Sequence, residues 1–274
     1  MTTVPRRIFI DSSFRTSGTH HGDFEICLPW SFEVPQGYSC VIDNFTCPHE
    51  FAAIHDEIDR TNHRLCFSEM EPNGSTHRCT SIIPSKHYDA VTLAAALEIA
   101  LIHGSVMPTP GYQVSFDEAS GKLNIAGNHP FKIWSSSMLK NGCIEDGEFA
   151  AAKVVDDPGQ VIGFGEGQTY YAYAATSIDL VDTQAIKNIY LASSLGDYSS
   201  MGCRGERDII RKIPVDVPFG SMIQHSGNYD HIDCAGETLS NLRFTLRDVY
   251  GRVLKLSRPV SFSLVLVNRH ALSF

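Results

Sequence analysis

The residues of this chain that could act as a nucleophile lie at two places. Cys47 and His49 bring a thiol close to an imidazole, the pairing that activates a cysteine. No third residue near them would orient the imidazole, so packing at a strand end is the favoured interpretation. Ser221 lies in Pro218–Ile223, which matches only half of the Gly-x-Ser-x-Gly turn of hydrolases. The sequence therefore predicts no catalytic residue, and we expect a protein that is not an enzyme.

Metal and phosphate sites are not predicted either. His20 and His21 stand near Asp23, but adjacent side chains of an extended chain point to opposite sides, which favours a solvated loop. None of the eight cysteines has Cys-x-x-Cys spacing. The glycine-rich stretch Gly163–Gly167 lacks the lysine of a phosphate loop, so a flexible turn explains it better. We expect no metal, no cofactor and predominantly reduced thiols.

The composition excludes several classes of protein. The 274 residues include 22 Lys and Arg against 31 Asp and Glu, and a net charge of −9 argues against direct nucleic-acid binding. Residues 1–200 carry 12 basic against 24 acidic residues, whereas residues 201–274 carry 10 against 7. This split would suit contact between copies, although uneven placement on a solvated surface explains it equally well. The longest apolar stretch, Ala90–Ile102, is too short to span a bilayer, and we expect no signal peptide.

Most of the chain alternates apolar and polar residues, as β-strands do. Phe24, Ile26 and Leu28 share one face, and Leu242–Leu256 predicts a hairpin of two strands. Apart from Ser261 and Ser263, the run Val260–Val267 is apolar on both faces, which is typical of a strand that is buried between layers or covered on its outer face by a neighbour. Roughly a dozen such strands, separated by turn residues, predict a mostly antiparallel, all-β sandwich or jelly roll.

One segment departs from this pattern. Asp89 is a suitable N-cap for an alanine-rich helix, and Gly104 stands where that helix should end. A hairpin between Tyr112 and Ala126 follows. We therefore expect residues 85–140 to form a small helix-plus-hairpin insertion within a single domain of residues 1–274.

Two polar corners carry the candidates for contacts with another protein. Phe14 and Arg15 follow the first strand, and Arg204, Arg207 and Asp208 precede another. A glycine among charges of both signs suits specific ionic contacts at a surface corner. The same pattern also fits a corner that meets only solvent.

Several short segments, spread over most of the chain, match one family in their order. They are Ile8–Gly18, Asp23–Phe24, Pro48–His49, Tyr88–Asp89, Ile189–Ser194, Arg204–Pro214, Leu242–Asp248, Gly251 and Val260–Leu264. In this order they resemble the minor capsid, or penton, proteins of Polinton-like viruses, Mavericks and virophages.

The resemblance implies a single jelly roll that assembles as a homopentamer and closes the fivefold vertices of an icosahedral capsid. Its expected neighbour is a major capsid protein with two jelly rolls, which would need a considerably longer chain. The expected location is the virion, assembled in the reducing interior of a host cell. Phe14, Arg15, Arg204, Arg207 and Asp208 are then the candidate contacts between copies.

A second class of function stays open, namely a jelly-roll module of a fibre or spike that binds a receptor or a carbohydrate. Such a module binds through exposed aromatic residues, and the cluster Tyr170–Tyr173 is the one suited to that role. A glycan array, together with size-exclusion chromatography and light scattering, separates this module from a capsid subunit.

Overall fold

The computed structural model describes residues 6–57, 60–135, 138, 158–184, 186–195, 201–202, 205–227 and 231–268. The chain divides into two compact units. The first consists of residues 1–50 and 186–274, and the second of residues 51–185. The second unit is therefore an insertion in the sequence of the first.

The strands and helices are numbered in chain order. The strands are β1 (Arg7–Asp11), β2 (Ser17–His20), β3 (Asp23–Glu33), β4 (Tyr38–Pro48), β5 (Asp56–Glu57), β6 (Arg60–Thr61), β7 (Arg64–Met70), β8 (Thr76–Ile82), β9 (Tyr112–Asp117), β10 (Lys122–Trp134), β11 (Ala172–Thr176), β12 (Asn188–Ser193), β13 (Ile209–Pro214), β14 (Met222–His225), β15 (Ile232–Asp233), β16 (Thr238–Arg247) and β17 (Ser261–Asn268). The α-helices are α1 (Ala90–Gly104) and α2 (Gly159–Ile162), and Ser12–Phe14 forms a single 3-10 turn.

The first unit is a jelly roll. One sheet has the order β1-β17-β4, and β14 and β15 both pair with the remaining edge of β4. The other sheet has the order β13-β12-β16-β3-β2, and every pairing in both sheets is antiparallel. If β1, β3, β4, β12, β13, β14 with β15, β16 and β17 are lettered B to I, the sheets read B-I-D-G and C-H-E-F. This is the connectivity of an eight-stranded jelly roll, so the predicted fold class is confirmed.

Aromatic side chains join the two sheets. The Phe262 ring on β17 packs edge-on against Phe244 on β16, in the other sheet, with ring centroids 4.9 Å apart. Phe45 stacks on Phe262 within one sheet, and Phe24 lies against Phe244 within the other. All four rings are buried, and large aromatic side chains of this kind dominate the burial of apolar surface in a core.

The predicted burial of the last strand is confirmed. β17 lies between β1 and β4, and Phe262, Leu264 and Leu266 are at most 4% exposed. The predicted hairpin over 242–256 is wrong in its second half, where only Val253 bridges back to Arg247. β3 occupies one edge of β16 from Thr238 to Thr245, and β12 pairs with the other edge from Phe244 to Arg247. A strand that returns after the turn therefore finds a free edge only at Leu246 and Arg247.

The second unit has a sheet of its own. β10 is the long central strand; it pairs with β9, with β11 and, through its C-terminal half, with β7, which pairs with β8. These pairings bring residues before 85 and after 140 into one sheet. The predicted segment 85–140 lies within this unit, which extends from 51 to 185.

Helix α1 begins after the predicted N-cap Asp89, whereas Gly104 is its last residue and Ser105, not Gly104, is the C-cap. The Asp89 carboxylate accepts a hydrogen bond from the backbone N–H of Thr92 at 2.7 Å, and the Thr92 hydroxyl pairs in return with the backbone N–H of Asp89. The backbone N–H and the hydroxyl of Thr92, which both donate to the carboxylate, lower the pKa of Asp89. The helix packs on the sheet through Leu93, Leu97 and other apolar residues of one face. Along the described part of the chain, no helix has both the length and the apolar character needed to cross a membrane.

Candidate functional site

The three residues considered as catalytic candidates lie at one place, where β4 meets β14. The backbone N–H of His49 donates to the Ser221 carbonyl at 2.9 Å. The Cys47 thiol, however, donates to the Pro48 carbonyl, and the His49 ring makes a 2.8 Å hydrogen bond to the Val217 carbonyl. Burial, with Glu50 nearby, raises the pKa of the Cys47 thiol well above its ordinary value. A neutral, buried thiol is a poor nucleophile, and these side chains pack the strand end.

The histidines considered for metal binding are engaged in a polar corner. His20 Nδ1 accepts a hydrogen bond from the backbone N–H of Gly22, and His21 Nδ1 lies 2.8 Å from the Ser12 hydroxyl. Asp23 instead pairs with the guanidinium of Arg243, at 3.2 Å. Within the described residues, no three potential ligands come together around one point.

The first candidate corner presents an apolar side chain. Phe14 ends the 3-10 turn after β1 and is 79% exposed, and Phe9 on β1 is 77% exposed. The Arg15 side chain is held within the corner, because its Nη1 donates a hydrogen bond to the Ser12 carbonyl at 3.2 Å and lies beside His21. A ring this exposed leaves a large apolar surface in contact with water, and burial of that surface against a partner is favourable. Phe14 is therefore the stronger contact candidate of the two.

The second candidate corner presents a cation. Arg207 is exposed, whereas Asp208 forms an ion pair with Arg247 at 2.9 Å and anchors the corner through a backbone bond from Ser193. Arg204 lies outside the described residues. Asp208 therefore helps to hold this corner in place through its pairing with Arg247.

The two corners lie at opposite edges of one sheet. The backbone N–H of Thr16 donates to Glu25 of β3, so the Phe14 corner lies beside the β2–β3 edge. Arg207 and Asp208 lead directly into β13, the far edge strand of the same sheet. The three strand spacings from β3 to β13 amount to about 15 Å. The corners therefore cannot meet within one chain.

A buried polar cluster of the second unit, centred on Glu69, was not predicted from the sequence. Its carboxylate is 1% exposed and accepts hydrogen bonds from the Tyr112 hydroxyl at 2.7 Å, the Ser105 hydroxyl at 2.6 Å and the Val106 N–H at 3.2 Å. Burial, with this carboxylate beside them, raises the pKa of Tyr112 and raises that of Cys79 to about 12. One signal in the sequence could have indicated this cluster: Glu69 shares one face of the strand with the buried apolar residues Leu65 and Phe67.

The tyrosine cluster lies in the second unit, at the start of β11. Tyr170 and Tyr173 are 69% and 62% exposed. Tyr171 turns inward, and its hydroxyl lies 2.9 Å from that of Ser68, which also accepts a hydrogen bond from the Trp134 indole. Two of the three tyrosines are therefore available to a ligand.

The net charge resides in one unit. Residues 51–185 contain 8 Lys and Arg against 17 Asp and Glu, whereas the jelly-roll unit contains 14 of each. The division at residue 200 therefore does not separate an acidic part from a basic part of one unit. The inserted segment carries the whole charge of −9.

Comparisons with known proteins were made by sequence and by fold. No protein-family model and no curated protein sequence matches the chain. Among solved structures, the mavirus penton protein superposes with a TM-score of 0.52 at 10% identity, over 95% of this chain and 99% of that one. A chain of the Sputnik virophage structure superposes with a TM-score of 0.47 at 12% identity, over 99% of this chain and 100% of that one. The protein therefore has the fold of the mavirus penton protein over nearly its whole length.

Proposed function

We propose that this protein is a structural capsid protein, a penton subunit that forms homopentamers at the fivefold vertices of an icosahedral virion. The observation that carries the proposal is the shared fold, which covers 95% of this chain and 99% of the mavirus penton protein. A likeness that extends over both chains argues that they share the insertion as well as the jelly roll.

The positions of the two corners support assembly as a ring. A closed ring of identical subunits needs a heterologous contact, in which one patch meets a different patch on the next copy. Phe14 at one edge of the sheet and Arg207 at the opposite edge satisfy this requirement, because each copy would present one edge to each neighbour. Arg15, Arg204 and Asp208 complete the proposed contacts, with Arg15 and Asp208 holding the corners in shape.

The charge distribution supports different roles for the two units. A jelly-roll unit with 14 residues of each sign has no net charge to repel its copies. We place the contacts between copies, and those with a double jelly-roll major capsid protein, on this unit.

The proposed role needs no catalysis. Cys47 is a buried neutral thiol, and the His49 ring is engaged by a backbone carbonyl. We expect replacement of Cys47, His49 or Ser221 to leave assembly intact apart from effects on stability. The subunit would assemble in the reducing interior of the host cell and act in the virion.

Receptor or carbohydrate binding is the second candidate function. Exposed aromatic rings such as Tyr170 and Tyr173 are the side chains that sugar-binding surfaces use. Binding on a glycan array that is lost in a Tyr170→Ala, Tyr173→Ala double variant would support this role. The two functions are compatible, since the tyrosines belong to the insertion and the proposed ring contacts to the jelly roll.

An icosahedral reconstruction of the particle that contains this chain tests the proposal. The density of the chain should fill the fivefold vertices, with five copies at each vertex. Density for the chain at the quasi-sixfold positions instead would refute the penton role.

A further inference from the structure

Two buried cysteines meet in the jelly-roll unit. The Sγ atoms of Cys40 and Cys234 are 3.0 Å apart, although 194 residues separate them in the sequence. Their side chains are 0% and 2% exposed. Both are thiols, and the distance between them exceeds the length of a disulfide bond by only about 1 Å.

The backbone brings these two side chains together. Cys40 lies on β4 and pairs with Ile232 of β15, and Cys234 is the residue that follows β15. β15 is held to β4 by only two residue pairs, Ile232 with Cys40 and Asp233 with Ser39. The thiol pair therefore stands where a short edge segment meets the central part of a sheet.

Other buried cysteines have different neighbours. The Cys47 thiol donates to the Pro48 carbonyl at 3.4 Å, and the Cys79 thiol donates to the Glu69 carboxylate at 3.4 Å. Cys47 lies on the same strand as Cys40 and is equally buried, which makes it a matched reference for the pair.

We propose that Cys40 and Cys234 form an oxidation site, which closes to a disulfide when the protein passes from a reducing to an oxidising medium. The bond fastens β15 covalently to β4. It also closes a loop that contains the whole 51–185 unit, and cross-linking distant positions restricts the unfolded chain more than it restricts the folded one.

A small disulfide such as oxidised glutathione supplies the oxidant. The thiolate of one cysteine attacks a glutathione sulfur and expels one glutathione thiolate, which leaves a mixed disulfide on the protein. The second cysteine attacks the protein sulfur of that mixed disulfide and expels the other glutathione. In sum, the two cysteines lose two protons and two electrons, and one glutathione disulfide becomes two glutathione thiols.

The environment of the pair makes this exchange slow in the intact fold. The hydrogen bond between the two thiols, together with burial, raises the pKa of Cys40 well above its ordinary value. The attacking species in exchange is the thiolate, so reaction requires opening of the β15 edge. The pair therefore stays reduced during synthesis, and the disulfide forms later, when the protein remains in an oxidising medium.

Incubation of the purified full-length chain with oxidised or reduced glutathione tests the site. After oxidation, at least two of the eight thiols should be lost from the titration in denaturant. Peptide mapping should recover one cross-linked peptide pair that joins Cys40 to Cys234, lighter by two hydrogen atoms than the separate peptides. The urea midpoint should be higher for the oxidised protein than for the reduced one.

Two variants separate the site from general oxidation. Cys234→Ala should abolish both the cross-linked peptide and the oxidation-dependent rise of the midpoint, whereas Cys47→Ala should retain both. If a variant fails to fold, the peptide map of the unsubstituted chain still decides. Recovery of Cys40 and Cys234 as thiols, or as separate glutathione adducts, after prolonged oxidation under mild urea would overturn the proposal.

Discussion

At the scale of single residues, Glu69 joins three separate segments of the insertion. Its carboxylate lies on β7 and accepts hydrogen bonds from β9, through Tyr112, and from the connection that follows α1, through Ser105 and Val106. A charge buried in this way is tolerated only because it is fully hydrogen-bonded. Glu69 therefore fixes the position of the segment between the helix and the hairpin.

Glu69→Gln should lower the free energy of unfolding by about 1–3 kcal/mol, because an amide oxygen cannot accept from all of these buried donors. Urea denaturation followed by circular dichroism measures the change. Glu71→Gln is the matched control: Glu71 pairs with His77 at the surface, so its loss should cost less than about 0.5 kcal/mol. Equal stability of the two variants would show that the buried network contributes nothing.

Phe14→Ser and Arg207→Glu should each weaken assembly about tenfold or more, because they alter opposite sides of the proposed contact. The free energy of unfolding of each unassembled variant should lie within about 0.5 kcal/mol of that of the parent, since both residues are exposed. Arg204→Glu should add to the effect of Arg207→Glu, and raised salt should weaken rings that depend on these charges. Sedimentation velocity over a concentration series measures assembly.

Val249→Ser is the control for these interface variants, because Val249 is 54% exposed on the same unit but lies in the turn after β16. It should assemble like the parent. If it impairs assembly as strongly as Phe14→Ser, the contact does not lie at the two corners.

Among the elements, β17 ties the first sheet together, since it lies between β1 and β4. Leu264→Asp should destabilise the protein by several kcal/mol, about 3 or more, because it places an unpaired charge in the core. Thermal melting of this variant beside Val249→Asp measures the difference, and the exposed control should melt close to the parent. A Leu264→Asp protein that melts like the control would mean that the strand is not buried.

The elements predicted from the sequence are those defined by local signals. Asp89 marks the start of α1 by capping chemistry, Gly104 marks its last residue, and the apolar run of β17 marks a buried strand. Pairings between distant segments leave no such mark. β7 pairs with β10 across more than 50 residues, and no local pattern in the sequence marks these two strands as neighbours. The contact between Cys40 and Cys234 likewise has no signal in the sequence.

The corners were predicted from the polarity of their residues, but not their relation to each other. Their placement at opposite edges of one sheet depends on the strand order β13-β12-β16-β3-β2, which is a property of the tertiary fold. The pairing of Asp208 with Arg247 likewise joins residues 39 positions apart. Sequence polarity could name these residues but could not distinguish the outward-facing groups from those that shape the corner.

On the scale of the whole molecule, two compact units divide the chain, and the second has a hydrophobic core of its own. We expect residues 51–185 to fold as an isolated fragment, with cooperative unfolding and a helical contribution to circular dichroism from α1. Leu97→Asp, in the core of this unit, should abolish that cooperative transition. A disordered wild-type fragment would show that the insertion depends on the jelly roll for its stability.

The central claim is that copies of this chain close into rings of five. Light scattering of the purified protein should give a mass about five times the 30.2 kDa of one chain, and averaged electron-microscopy images of the same fraction should show fivefold rings. A single-chain mass at every concentration up to that of an assembly reaction, or rings of another symmetry, would contradict it.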